Sequence, residues 1–140
     1  MTAERAKPLP LRTPETAPFL DGLREGRVLL QQCTQCDRLR YPPTRSCPHC
    51  LSEERRWKPV SGRGHVYSFI IVHQLYQPAF EADLPYNVAI VQLDEGPRFT
   101  SNIVGCENHE IRIGLGVEPE FVRVNDEVTL LKFRLVTART

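Results

Sequence analysis

The 140-residue sequence lacks the features that mark several large classes of protein. Its 18 basic and 17 acidic residues nearly balance, whereas proteins with a strong general affinity for nucleic acid usually carry a basic excess. No apolar run approaches the length of a transmembrane helix, and residues 1–5 lack the apolar core of a signal peptide. No charge run, internal repeat or coiled-coil pattern is present. We therefore expect a cytoplasmic protein that makes no membrane contact.

Long helices are also unexpected in this chain. Twelve prolines and eight glycines favour turns, strands and loops over extended helical segments. A hydrophobic content of 41% and a charged content of 25% are typical of a globular domain. The length allows one ordinary domain or two small ones.

Four of the five cysteines form two Cys-x-x-Cys pairs, Cys33 with Cys36 and Cys47 with Cys50. This spacing predicts a four-cysteine ribbon, in which each pair forms a tight knuckle and the intervening loop brings the knuckles together. Zinc suits four thiolates, and iron in a rubredoxin-type site is the other candidate. Because the protein supplies all four ligands, we expect the metal to be structural. Two disulfides would instead need an oxidising compartment, and the unpaired Cys106 fits a reducing one.

The knuckles depart from the common pattern at one position each. Glycine often follows the second cysteine of a pair, but Asp37 and Leu51 stand there in this chain. Asp tolerates left-handed backbone geometry and Leu does not, so we expect the second knuckle to be slightly open. His49 lies within that knuckle and is expected to face solvent.

The segment before the ribbon divides into two parts. Residues 1–13 are polar and proline-rich, and we predict that they are disordered. Residues 14–27 are predicted to form a short helix, with Thr13 as N-cap and Pro14 at the first helical position. Such a short helix is marginal alone, so we expect it to pack on the rest of the chain or on a partner. Its apolar stripe consists of Phe19, Leu20 and Leu23.

The remainder of the chain predicts a ribbon at residues 28–58, with Trp57 covering its base, and a barrel at residues 59–140. After the break at Ser61-Gly62-Arg63-Gly64, apolar residues recur with a period of two. The predicted strands are residues 65–75, 87–93, 98–104, 117–121 and 128–135. Five strands with a long first one fit a small closed barrel of the oligonucleotide/oligosaccharide-binding (OB) type, whereas a sandwich would need more strands. No helix is expected in residues 106–116. The predicted fold class is mainly β.

Residues suited to catalysis are few. Outside the ribbon, Cys106 and His109 are the only cysteine and histidine close in sequence, and both fall in a predicted loop without a third partner. His65 and His73 lie eight residues apart on the predicted first strand, so both should point to the same solvent-exposed face. We therefore predict no catalytic residue in this chain.

The order of these parts resembles a bacterial and archaeal zinc-ribbon/OB-fold family that was long catalogued only as a domain of unknown function. The resemblance rests on the helix, the Pro-Pro before the second Cys-Pro-x-Cys, Trp57, the Ser-Gly-x-Gly break and the barrel, over about residues 14–136. It implies a non-catalytic accessory subunit in acyl-CoA metabolism, bound to a thiolase-fold enzyme and able to contact the acyl-CoA thioester. The enzyme would be a thiolase, an acyltransferase or a lipid-transfer-like aldolase. The usual Phe-Trp pair of the family's helix appears here as Phe19-Leu20.

A partner surface is predicted from apolar and aromatic residues of the helix and of the long loop after the first barrel strand, because such residues are typical of interfaces. These residues are Phe19, Leu20, Leu75, Tyr76, Phe80, Leu84 and Tyr86.

Two other functions remain open at this stage. The first is a single-stranded nucleic-acid-binding module, in which aromatic residues stack on bases and arginines supply charge. Its candidate residues are Tyr67, Phe69 and Phe99 with Arg63 and Arg98. The second is a rubredoxin-like electron carrier with iron at the four cysteines, in which the barrel has no obvious purpose.

Overall fold

The structure is a computed structural model that describes residues 7–136. Within that range one α-helix leads into a small three-stranded ribbon sheet and then a barrel. In chain order the elements are α1 (Ala17–Arg24), β1 (Val28–Cys33), β2 (Leu39–Arg40), β3 (Arg55–Val60), β4 (Gly64–Val72), β5 (Tyr86–Leu93), β6 (Arg98–Ser101), β7 (Ile103–Val104), β8 (Gly116–Arg123) and β9 (Thr129–Leu135). Short 3₁₀ turns occupy Pro78–Asp83 and Asn108–Glu110. No helix in the described range is both long and apolar enough to cross a membrane.

Helix α1 begins at Ala17, later than predicted. The segment that contains Pro14 is a turn instead, because Thr13 and Thr16 bond to each other across it. The N–H of Thr13 donates to Thr16 Oγ1 at 2.8 Å, and the N–H of Thr16 donates to Thr13 Oγ1 at 3.2 Å. The helix packs against β1 of the ribbon and against β8 and β9 of the barrel. The predicted disorder of residues 1–13 concerns residues 1–6, which lie outside the described range, and residues 7–13, which form neither helix nor strand.

The ribbon sheet has the order β2-β1-β3, with both pairs antiparallel. Its centre is a buried polar contact, in which Gln31 Oε1 accepts from Arg40 Nε at 2.9 Å and from the N–H of Thr44 at 2.8 Å. This contact ties the loop between the knuckles to the central strand. Trp57 pairs with Gln31 across the sheet and packs against the core.

The barrel strands follow the order β6-β5-β4-β8-β9-β7. A single residue, Asn102, separates β6 from β7, and β7 pairs in parallel with β9, so the sheet closes on itself. The N–H of Phe133 donates to the Asn102 carbonyl at 3.1 Å at this closure. Since β6 and β7 together form the predicted third strand, the five-stranded OB-type barrel is confirmed. Residues 106–116 contain a 3₁₀ turn but no α-helix, as expected.

Strand β4 contains a bulge that the sequence pattern did not reveal. Its pairing with β5 shifts between Val66 and Ser68, which leaves Tyr67 as an extra residue. The bulge reverses the alternation of side chains, and the strand ends at Val72. The prediction that His65 and His73 share one face of a strand is therefore wrong, although both side chains are exposed.

The Ser61-Gly62-Arg63-Gly64 break is a close junction between the ribbon and the barrel. A Cβ atom on Gly64 would lie 2.1 Å from the carbonyl oxygen of Gln92, a distance that no side chain could adopt. Gly62 has φ +73°, and a Cβ there would lie 2.7 Å from Pro119 Cγ. Both glycines are therefore required by close backbone packing.

One aromatic cluster joins the helix, the ribbon and the barrel. The ring of Phe19 lies 5.4 Å from that of Tyr41 and 6.0 Å from that of Phe99, measured between centroids. Tyr41 and Phe99 are 4.3 Å apart, and Phe99 contacts Phe133 at 5.9 Å. Because the residues of this cluster come from all three parts of the chain, the described residues share one core.

Candidate metal centre and partner surface

The four ribbon cysteines converge at the ends of the two knuckles. Cys33 closes β1 and Cys36 follows in the next turn, while Cys47 and Cys50 lie in the turn before β3. All four sulfur atoms lie within 4.8 Å of one another. The Sγ atoms of Cys33 and Cys50 are 3.5 Å apart, and those of Cys36 and Cys47 are 3.7 Å apart.

These distances fit a tetrahedral zinc ion. A Zn–S bond of about 2.3 Å places neighbouring sulfurs roughly 3.8 Å apart in a regular tetrahedron. A disulfide needs about 2.05 Å between its sulfurs, and all four cysteines are free thiols. The predicted four-cysteine cluster is thus present in the fold, and its donor set suits a structural zinc.

Backbone N–H groups favour the thiolate form of the more buried sulfurs. The N–H of Cys36 lowers the pKa of the Cys33 thiol, although burial works in the opposite direction. Burial raises the pKa of Cys47, but the N–H groups of Cys50 and His49 and hydrogen bonds from the thiols of Cys36 and Cys50 together lower it to about 6. Thiolates are the form that binds metal.

The two knuckles have the same backbone geometry, so the expected opening of the second knuckle is wrong. The N–H of Asp37 donates to the Cys33 carbonyl at 2.8 Å, and the N–H of Leu51 donates to the Cys47 carbonyl at the same distance. Asp37 has φ +65° and Leu51 has φ +66°. The left-handed conformation is unfavourable for leucine, and the Leu51 side chain is 76% exposed, so its burial does little to offset this cost.

The polar side chains around the cluster lie outside it. His49 is exposed, as expected, and its Nδ1 lies 2.7 Å from Arg38 Nη1. Gln35 Nε2 donates to Glu54 Oε1 at 2.8 Å and links the first knuckle to the segment that precedes β3. Among residues 7–136, the set of groups placed to hold a metal contains the four cysteines and no histidine or carboxylate.

The residues predicted to form the partner surface separate into two groups. Phe19 is 6% exposed and belongs to the aromatic core, which leaves little of its ring for a partner, while Leu20 is half-buried beside that core. The loop residues form the other group. Leu75 and Tyr76 are exposed, Tyr76 at 74%, and Phe80, Leu84 and Tyr86 are half-buried. The rings of Phe80 and Tyr86 lie 5.8 Å apart.

Further exposed apolar residues were missed by the sequence reasoning. Ile70 on β4, Ile113 in the loop before β8 and Leu51 on the second knuckle all expose most of their side chains. Ile70 could not be assigned to the outer face because the bulge at Tyr67 changes the alternation. Exposed aliphatic side chains of this size are common at interfaces when they cluster.

The three aromatic residues predicted to stack on nucleic-acid bases do not form an exposed surface of adjacent rings. Phe99 is buried and Phe69 packs against the core. Tyr67 is exposed, but the Arg98 guanidinium lies 3.8 Å above its ring. Base binding by successive stacking rings therefore finds little support in this arrangement.

Cys106 and His109 are not hydrogen-bonded to each other in the described residues, and His109 is exposed. Burial raises the pKa of the Cys106 thiol, and the carboxylates of Glu110 and Glu107 raise it further. A thiol with these neighbours is a poor nucleophile at neutral pH.

Comparison with protein families identifies both parts of the fold. Residues 20–54 match the family described as "ChsH2, rubredoxin-like zinc ribbon domain". Residues 57–122 match "ChsH2, C-terminal OB-fold domain". The chain belongs to the ChsH2-type zinc-ribbon/OB-fold family. Zinc is accordingly the structural metal of this ribbon, in agreement with the sulfur geometry.

Individual relatives include subunits of acyl-CoA enzymes. The chain is 38% identical over 128 residues to a "Probable enoyl-CoA hydratase alpha subunit" of Thermomonospora curvata, matching 91% of this chain and 40% of that protein. It is 35% identical to a "DUF35 domain-containing scaffold protein" of Methanocaldococcus jannaschii, over 69% of this chain and 68% of the relative. It is 30% identical to "Benzoylsuccinyl-CoA thiolase subunit BbsA" of Thauera aromatica, over 81% and 63% of the two chains.

One solved structure resembles the whole fold closely. It is titled "Ltp2-ChsH2(DUF35) aldolase", and one of its chains is 37% identical to this one with a TM-score of 0.81. The alignment covers 90% of this chain and 98% of the other. By contrast, the chain spans well under half the length of the Thermomonospora relative, so that relative contains segments with no counterpart here.

Proposed function

We propose that this protein is a non-catalytic accessory subunit that binds a thiolase-fold enzyme of acyl-CoA metabolism. The observation that carries this proposal is the match to 98% of a chain in the Ltp2-ChsH2(DUF35) aldolase at a TM-score of 0.81. The Thauera relative, whose name makes it a subunit of a thiolase, supports the same role. The functional unit is then a hetero-oligomer of this chain and the enzyme. Its free thiols suit the reducing cytoplasm as the place of action.

Within this role, Cys33, Cys36, Cys47 and Cys50 hold the structural zinc. Four thiolates fill the tetrahedral coordination of zinc and leave no position for water or substrate. The metal therefore holds the two knuckles together and takes no part in chemistry. The convergence of the four sulfurs within 4.8 Å supports this ligand set.

The chemistry of the complex belongs to the enzyme. Acyl-thioester chemistry needs an activated nucleophile, a base and donors that stabilise an oxyanion. Among residues 7–136, the one cysteine outside the metal cluster is Cys106, whose raised pKa and lack of a bond to His109 do not suit it to this role.

The surface that binds the enzyme centres on the loop between β4 and β5. Leu75 and Tyr76 are exposed there, and the rings of Phe80 and Tyr86 pair with each other in the same segment. Aromatic residues on a largely exposed loop are enriched at protein interfaces. Leu84 belongs to the same loop, and half-buried Leu20 on helix α1 is a second, separate contact point, while Phe19 is omitted because it is buried.

A binding experiment with surface variants tests this proposal. The zinc-loaded chain and a thiolase-fold enzyme from the same host are purified, and their affinity is measured for the parent, Tyr76→Ala and Lys58→Ala. We expect Tyr76→Ala to weaken binding roughly tenfold or more, as is common for exposed aromatic anchors. Lys58, on the exposed face of β3, serves as the matched control and should leave affinity unchanged. Equal affinities for all three proteins would contradict the proposed surface.

A further inference from the structure

A cavity of about 670 Å³ lies beside the barrel closure, away from the zinc cluster. Its lining comes from residues 7–9, from the 3₁₀ turn Pro78–Asp83 and from strands β5, β7, β8 and β9. Its size is within the range of pockets that bind small organic molecules. Most of the lining is apolar and includes Phe80, Val104, Val122 and Leu130.

Lys132 supplies the cavity with a positive charge. Its Nζ donates to Asn102 Oδ1 at 2.6 Å, and no carboxylate in residues 7–136 forms a salt bridge with it. The acidic residue opposite it across the β8–β9 pair is Glu120, but that carboxylate bonds to Arg134 instead. Because an ammonium group has three N–H donors, two donors of Lys132 have no hydrogen-bond partner among residues 7–136.

The other charged groups near Lys132 neutralise each other. Lys7 and Asp83, which both line the cavity, form a salt bridge at 2.6 Å. Burial lowers the pKa of Lys132, the charge of Lys7 lowers it further, and Asp83 raises it only in part. An anion bound beside Lys132 would therefore relieve a real electrostatic cost.

The groups that hold Lys132 in place are themselves fixed. Asn102 Nδ2 donates to the Asn87 carbonyl, and Asn87 Nδ2 donates to the Ile103 carbonyl at 2.9 Å. The N–H of Ile103 donates back to Asn87 Oδ1 at 2.7 Å. Asn87 is buried, so this hydrogen-bond network holds the amide of Asn102 in place beside Lys132.

A second cavity, of about 430 Å³, adjoins the first. It lies between helix α1 and the barrel, and both cavities are lined by Asn102, Leu130 and Lys132. Lys132 thus stands between two apolar spaces, with room for a hydrocarbon body on either side of a single charged head.

We propose that this cavity binds a small carboxylic acid with an apolar body. The carboxylate accepts from the two remaining donors of Lys132, and the hydrocarbon body packs against Val122 and Leu130. The one ammonium of the lining without a carboxylate partner in residues 7–136 matches a single negative charge, as on a carboxylate, better than the double charge of a phosphate dianion. The site adjoins the loop proposed to bind the enzyme, since Phe80 and Tyr86 line the cavity, but binding of the acid does not require that complex.

The test uses the zinc-loaded chain alone, labelled with ¹⁵N and titrated with sodium hexanoate while amide shifts are recorded. We expect saturable shifts centred on Asn87, Asn102 and Ile103. The uncharged analogue hexanamide should bind roughly tenfold more weakly, because it cannot form the charge-assisted bonds. Shifts that fail to saturate, or equal binding of acid and amide, would overturn the proposal without the use of any variant.

Two variants test whether the ammonium group of Lys132 binds the carboxylate. Lys132→Met keeps the length and apolar stem of the side chain but removes the ammonium, and we expect a loss of hexanoate affinity of roughly tenfold. Lys58→Met removes an exposed lysine of the ribbon and should leave the affinity unchanged. If Lys132→Met folds, as judged from its amide spectrum, and binds hexanoate like the parent, the assignment of Lys132 is wrong.

Discussion

The ring of Tyr41, in the loop between the two knuckles, lies 4.3 Å from the ring of Phe99 on barrel strand β6. Phe19 of helix α1 contacts both rings. Val28 and Leu30 of β1 belong to the same buried core as the barrel residues. The ribbon is thus continuous with the barrel in packing, and events at the zinc site should be felt in the barrel.

Loss of zinc is expected to destabilise the whole chain. Zinc binding in comparable ribbons is worth on the order of 10 kcal/mol, and the shared core transmits its loss to the barrel. Cys47→Ser should therefore release zinc and lower the melting temperature of ribbon and barrel signals together. Cys106→Ser is the matched control, because Cys106 lies outside the cluster and should leave zinc content at one ion per chain. A Cys47→Ser protein with full zinc content would refute the ligand assignment.

Phe19 is expected to act on stability. Replacing a buried Phe with Ala typically costs about 3–5 kcal/mol, so Phe19→Ala should lower the free energy of unfolding by that order in urea titrations. Tyr76→Ala, at a largely exposed position, should leave this free energy nearly unchanged. If Phe19→Ala kept full stability but lost enzyme binding, Phe19 would be part of the partner surface and not of the core.

Leu51 carries backbone strain that glycine would remove. A left-handed conformation costs a non-glycine residue about 1–2 kcal/mol, and the greater flexibility of glycine in the unfolded chain offsets part of the gain. Leu51→Gly should therefore raise the free energy of unfolding by roughly 0.5–1 kcal/mol. Asp37→Gly, at the equivalent position of the first knuckle, should gain less because Asp tolerates this conformation. A clear loss of stability in Leu51→Gly would show that the leucine side chain packs on the knuckle.

Cys106 is expected to react slowly with alkylating agents. Burial and the nearby carboxylates raise its pKa, so a smaller fraction of the thiol is ionised at a given pH than for an ordinary cysteine. In the zinc-loaded protein its rate of reaction with iodoacetamide should be below that of free cysteine and should continue to rise at higher pH. Glu110→Gln removes one of the charges and should increase the rate. A rate above that of free cysteine would indicate an activated nucleophile and reopen the question of catalysis.

The sequence predicted those features that depend on local pattern. The two Cys-x-x-Cys pairs indicated the ribbon, and the alternation after Gly64 indicated the five barrel strands. The bulge at Tyr67 depends on how β4 pairs with β5, which no pattern within one strand shows. The sequence could not show whether the apolar face of helix α1 that carries Phe19 packs on the protein core or on a partner, because the same apolar stripe is expected in both cases.

At Leu51, local sequence reasoning gave a wrong prediction. Its side chain disfavours the left-handed conformation, so local reasoning predicted a distorted knuckle. The structure keeps the knuckle regular instead, because the N–H of Leu51 bonds to the Cys47 carbonyl and the sulfurs must converge. Tertiary and metal-site requirements outweigh the preference of a single residue.

The central claim is that this chain is an accessory subunit of a thiolase-fold enzyme. The most direct test is to co-express the tagged chain with each thiolase-fold enzyme encoded by its host and to measure the mass of the purified product by native mass spectrometry. The account predicts a zinc-containing complex with this chain and one such enzyme in near-equal amounts. A chain that remains monomeric in the presence of every one of these enzymes would contradict it.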